Sequence, residues 1–160
     1  MKRLYSYLIL SLFCVAFVGC GRYFAPDRNV KETLVEKDVI GKWRLKTSSS
    51  QLLVRDGFRS DPTNRCTIMF NADGTCFFHS VESFGGTNRY FSGGGTWRLE
   101  HDTQGDSNIK KKNAVRLELP VNGERKIQYW NFAKEKGVLI LWNSYGDPDE
   151  WEFLEYERDG

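Results

Sequence analysis

Thiols, imidazoles and clustered carboxylates are the side chains of this chain that could do chemistry, and their spacing decides which chemistry is open to them. Cys76 and His79 stand three apart in a segment that alternates like a strand; a period of two sends them to opposite faces, so they share no metal ion. His101 and Asp102 are adjacent and diverge in the same way, and no Gly-x-Ser-x-Gly elbow or Cys–His pairing accompanies them. Asp147, Asp149 and Glu150 gather beside Gly146, but a helix-loop-helix calcium loop opening at Asp147 needs glycine where Glu152 stands and glutamate where Arg158 stands. Pro148 there reads as fixing a turn. Glu152, Glu155 and Glu157, interleaved with Trp151, Phe153, Leu154 and Tyr156, read as the solvated face of a last strand rather than as a general acid and base. Gly85-Gly86 and Gly93-Gly94-Gly95 lack the spacing and the following helix of a phosphate loop. These patterns supply no catalytic residue, no metal site and no cofactor site, and the chain reads as a protein that is not an enzyme.

Two further thiols belong to the beginning of the chain. Met1-Lys2-Arg3 is a cationic start, Leu4 to Val18 an apolar run, and Phe17-Val18-Gly19-Cys20 a small-residue cleavage site. The run of about 15 residues spans roughly 22 Å as a helix, short of the ~30 Å hydrocarbon core, so it reads as an export signal rather than a permanent membrane span. The segment resembles the signal peptides of bacterial lipoproteins, whose lipobox ends in Gly-Cys; Phe17 stands where those sequences usually carry Leu. The resemblance implies that residues 1–19 are removed and that Cys20 carries lipid, which makes a membrane the first expected partner. Gly21, which is not the Asp that favours retention at the inner membrane in enteric-type bacteria, points mildly to the outer one where a host has two.

Charge argues against another class of partner. The chain holds 23 Lys and Arg against 21 Asp and Glu, and Lys2 and Arg3 leave with the signal, so the mature chain has 21 of each. Near-neutrality gives no long-range attraction for phosphate backbones, and nucleic acid is not expected. Lys110-Lys111-Lys112 reads as part of a solvated loop over 102–113.

Exported proteins are free to form disulfides, and Cys66 and Cys76 are the pair left in the folded part. They flank Asn71-Ala72-Asp73-Gly74-Thr75, a hairpin turn with Gly74 where φ must be positive. Pairing Asn71 with Thr75 sets Cys66 opposite Ser80 and ~13 Å along the ladder from Cys76, beyond the reach of an S–S bond. Two buried free thiols are expected.

The elements that must position all these residues are strands. Gly21 to about Glu36 is polar and aperiodic and reads as part of a tether over 20–38, with a helical turn near Thr33–Asp38. Trp43 and Leu45 alternate with Lys42, Arg44 and Lys46, and Cys66, Ile68 and Phe70 share a face opposite Phe78 and Cys76. Gln51–Val54 reads as a short helix or an edge strand. Three glycines at 93–95 mark a bend or bulge, Trp97 and Leu99 point one way, and Val115, Leu117 and Leu119 another strand. Asn122-Gly123 and Lys136-Gly137 are tight turns, Val138–Trp142 is apolar on both faces, and the last strand runs from Trp151 to about Tyr156. About eight strands joined in sequence close most naturally into an all-β, up-and-down antiparallel barrel over 39–160, with an open sandwich as the alternative.

Ile40-Gly41-Lys42-Trp43-Arg44-Leu45, Phe70-Asn71-Ala72-Asp73-Gly74-Thr75 and Gly94-Gly95-Thr96-Trp97-Arg98-Leu99 follow one another in an order similar to the bacterial lipocalin-like domains, over roughly Val39 to Trp142. The resemblance implies that Trp43 packs across a closed barrel end; Trp43, Phe70, Gly74 and Trp97 are expected as structural residues. It also opens two kinds of work for five Trp and 11 Phe. Small or polar residues facing the lumen would hold a small apolar ligand, the first expectation. A lumen filled by aromatic rings would leave the outer surface to meet another envelope protein.

Overall fold

Lys42, Trp43, Arg44 and Leu45 alternate outward and inward along the first strand of a closed barrel, with Trp43 and Leu45 fully buried. The computed structural model describes residue 28 and residues 30–57, 66–82, 90–104, 110–121, 123–146 and 152–160. Eight strands follow in order: β1 Gly41–Leu45, β2 Thr67–Phe70, β3 Thr75–Glu82, β4 Tyr90–Gln104, β5 Lys110–Val121, β6 Glu124–Glu135, β7 Val138–Tyr145 and β8 Glu152–Arg158. Each pairs antiparallel with the next and β8 closes on β1, so no sandwich edge remains between first and last strand. The leader 1–19, Cys20, Gly85-Gly86 and the Pro148 turn lie outside the described residues, and no helix among those described is long and apolar enough to cross a membrane.

The turns follow their residues. Asn71 N–H donates to Thr75 O and Gly74 N–H to Asn71 O, with Gly74 at φ +80°. At the β6–β7 turn Lys136 (+50°) and Gly137 (+87°) are both left-handed, the pair of conformations a two-residue hairpin needs.

The glycine run 93–95 is neither bend nor bulge. Gly93, Gly94 and Gly95 pair in regular register with Phe78, Phe77 and Cys76, and the extra residue sits on the facing strand, where Ser80 adopts φ +50° and its N–H bonds Ser92 Oγ at 2.8 Å. That bulge lets Phe78 and Val81, three apart, both point inward. The glycines are there for room. A Cβ on Gly95 would meet Glu118 O at 2.5 Å and Leu119 Cδ2 at 2.6 Å. The polar loop expected over 102–113 is also shorter, because β4 and β5 run on as a paired ribbon to Gln104 and Lys110.

Both barrel ends carry a helix. α1, Glu36–Val39, is one turn started by Asp38, whose carboxylate accepts the Val35 N–H at 2.9 Å. The chain before it is less free than a tether: Val30 and Leu34 are buried in the core, and Val30 N–H bonds Phe132 O on β6. At the other end Thr47–Arg55 forms α2, the helix alternative for 51–54, closed by Gly57 at φ +88° and burying Leu53 completely. Arg55 and Asp56 at its end bond Glu152 on β8 and Tyr145 on β7.

Candidate functional site

The barrel interior is the first place to look for a site, and aromatic rings fill it. Phe78 on β3 meets Trp130 on β6 edge to face at 6.2 Å, and Trp130 meets Tyr156 on β8 at 5.3 Å. β3 and β6 are not neighbours in the sheet, so these rings touch across the lumen. Trp43 reaches Phe132 at 6.1 Å in the same way from β1 to β6. Each of these five side chains is less than 2 % exposed, with Leu45, Leu117 and Leu141 packed among them. An eight-stranded barrel is just wide enough for its own side chains, and this one spends the width on rings.

Trp43 closes one end, its Nε1–H donating to Val39 O at 2.8 Å. Trp97 lies near the rim, edge-on to Phe70 at 5.3 Å, with Nε1–H on Asn71 O at 2.9 Å, so it fastens β4 to the β2–β3 hairpin whose Gly74 carbonyl accepts the Trp97 N–H. Cys66 and Cys76 are buried free thiols. Cys66 Sγ–H donates to Ser80 O, so the register keeps the two sulfurs apart, and burial pushes the Cys76 thiol up to about 12. His79 is exposed while Cys76 is buried, and His101 Nδ1 lies 3.2 Å from Asn113 Oδ1. Among the described residues no group of three or more His, Cys, Asp or Glu is placed to hold a metal ion.

Two features escaped the sequence. Glu155 is not on a solvated face. It is buried on the outer wall, where it and Glu135 bind Arg28 and Lys46; Lys46 Nζ is 2.8 Å from Glu135 and 2.9 Å from Glu155. Arg28 also stacks 5.0 Å over the Phe153 ring. The Lys46 hydrogen bond holds the Glu135 carboxyl below its usual range; burial pulls the Lys46 ammonium down, but the bonds to Glu135 and Glu155 outweigh it and raise it. The cluster pins the incoming chain to the wall. The second is Asn113, buried and saturated: its amide donates to Val30 O at 3.0 Å and Glu32 O at 2.7 Å, and accepts Leu34 N–H at 3.0 Å. No sequence pattern marks either role, because Arg28, Val30, Glu32 and Leu34, which meet these side chains, come from an irregular stretch.

Beside that strap open two clefts. One, about 520 Å³, lies between Thr33–Lys37 and Leu99 and His101 on β4; the other, about 570 Å³, runs past Glu32, Lys134, Leu139 and Arg158. Both are open to solvent. The outer wall also shows apolar side chains, with Phe77 half exposed beside Met69 on the paired strands β3 and β2. Compared with known proteins, the chain matches no family model, no curated protein and no solved structure.

Proposed function

We propose that this protein is a non-enzymatic lipoprotein of the bacterial cell envelope, anchored through lipid on Cys20, whose lipocalin-like barrel works from its outer surface as a protein-interaction module. The observation that carries the reading is ring contact across the lumen, Phe78 to Trp130 and Trp43 to Phe132, which occupies the space an internal apolar ligand would need. It favours the interaction module over the ligand carrier. The anchor is supported by the cationic start, the short apolar run and the Gly19-Cys20 site, and the membrane is its partner through that lipid. The separation of Cys76 from His79 removes one Cys–His nucleophile pair.

Titration of the purified protein with a fluorescent long-chain fatty acid tests the reading. No saturable binding is expected. Saturable binding that unlabelled palmitate displaces would return the domain to the carriers.

A further inference from the structure

β4 is longer than its partner on one side. β3 pairs with it up to Thr75 opposite Thr96, and the Asn71–Gly74 turn then ends that neighbour, while β5 follows β4 all the way to Gln104. The last bond to the β3 side is Trp97 N–H to Gly74 O. Because N–H groups alternate along a strand, those of Leu99, His101 and Thr103 point the same way as that of Trp97. Among the described residues no backbone group meets them. The edge is seven residues of straight backbone without proline or bulge, features that would prevent pairing.

The inner side of this edge is not bare. Leu99, His101, Leu34 and Val35 border the cleft of about 520 Å³, and Val35 is 47 % exposed. On the outer side Arg98 is 63 % exposed and already paired with Glu100 Oε1 of the same strand at 2.5 Å. We propose that the free edge of β4, Arg98–Gln104, docks an extended peptide segment of a partner protein. The segment adds a strand to the β4–β5 ribbon and sets one apolar side chain into the cleft beside Leu99. Main-chain bonds along an open edge give affinity, and the pocket beneath gives selectivity.

A second copy of this chain fits the edge less well. Antiparallel pairing about Leu99 drives residues 102–104 of one copy into the Asn71–Gly74 turn of the other. Pairing shifted clear of the turn sets acidic Glu100 opposite acidic Asp102. The proposal rests on the interaction reading and names its surface; a fatty acid bound in the lumen would sink that reading, whereas the results below concern the edge alone.

The test titrates the full mature chain in mild detergent with a synthetic, end-blocked heptapeptide, Glu-Val-Thr-Val-Thr-Val-Lys, followed by amide NMR. Saturable shifts at Leu99 and His101 are expected. N-methylation of one alternate set of peptide amides should abolish binding and methylation of the other set should leave it intact, since only one set faces β4. His101→Pro removes an edge N–H without touching the β5 ladder and should weaken binding about tenfold, while His101→Ala stays within about threefold. Melting curves of both variants report whether the fold survives. No saturable binding at millimolar peptide, shifts confined to another surface, or a folded His101→Pro that binds as well as His101→Ala would overturn the proposal.

Discussion

Trp43 and Trp97 both follow a glycine by two positions at the start of an alternating run, and both tie an indole N–H to a turn or helix carbonyl while the ring packs inward. Truncation removes the ring contacts, and it leaves Val39 O without its indole donor or Asn71 O with the Gly74 N–H alone. Trp43→Ala is expected to cost ~3–5 kcal/mol in denaturant unfolding, and Trp97→Ala somewhat less because it sits at the rim. Intact stability in either variant would remove that ring from the core. Glycine substitutions separate two reasons for glycine. Gly74→Val should cost ~1 kcal/mol or more through its φ of +80°. Gly95→Ala should cost ~1–3 kcal/mol through collision with Glu118 O and Leu119, with no left-handed backbone involved. A neutral Gly95→Ala would mean that β4 and β5 part easily. With its pKa near 12, Cys76 should resist alkylation in the folded protein at neutral pH, and after denaturation without reductant both Cys66 and Cys76 should be modified. A linked Cys66–Cys76 peptide would contradict the β2–β3 register.

At the scale of elements, the strands were legible where one face is apolar and the other charged. β1, the facing residues of β2 and β3, and the Asn71–Thr75 turn follow from period and turn chemistry alone. Three glycines are a visible signal for a bend or bulge, yet the bulge lies on β3, where Ser80 has no local mark; packing Phe78 and Val81 inward decides its conformation. Glu155 and the strap 28–34 were illegible for another reason. A polar stretch reads as tether until the residues that hold it, Asn113, Glu135 and Glu155, are brought together by strands far along the chain. The cluster makes the strap sensitive to pH. Glu135, with its pKa lowered, contributes stability that is fully present above the unfolded value of about 4.3 and is lost as pH falls through the folded value; Lys46, with its pKa raised, contributes stability lost only as pH rises through its own folded value, above about 10.4. Glu135 is 42 % exposed, so solvent screening limits the effect of Glu135→Gln to ~0.5 kcal/mol at pH 7, with a shallower acid limb in a melting series. An unchanged acid limb would show that the strap is held without Glu135, by Glu155, Asn113 and the Phe132 carbonyl.

For the whole molecule, closure and filling belong together. β8 pairs with β1, α1 and the strap cover one end, and α2 lies at the other, so the sheet has no seam and the described core rings pack across its interior. A barrel of this kind offers its surroundings a wall, a rim and one protruding ribbon. The most direct measurement of the central claim is native mass spectrometry of the protein extracted from its host membrane in mild detergent. The predicted mass is that of residues 20–160 plus a covalent lipid on Cys20, with no further small molecule, and Cys20→Ser should leave the full, unlipidated precursor. A mature chain without lipid, or a stoichiometric apolar molecule retained in the folded barrel, would contradict the account.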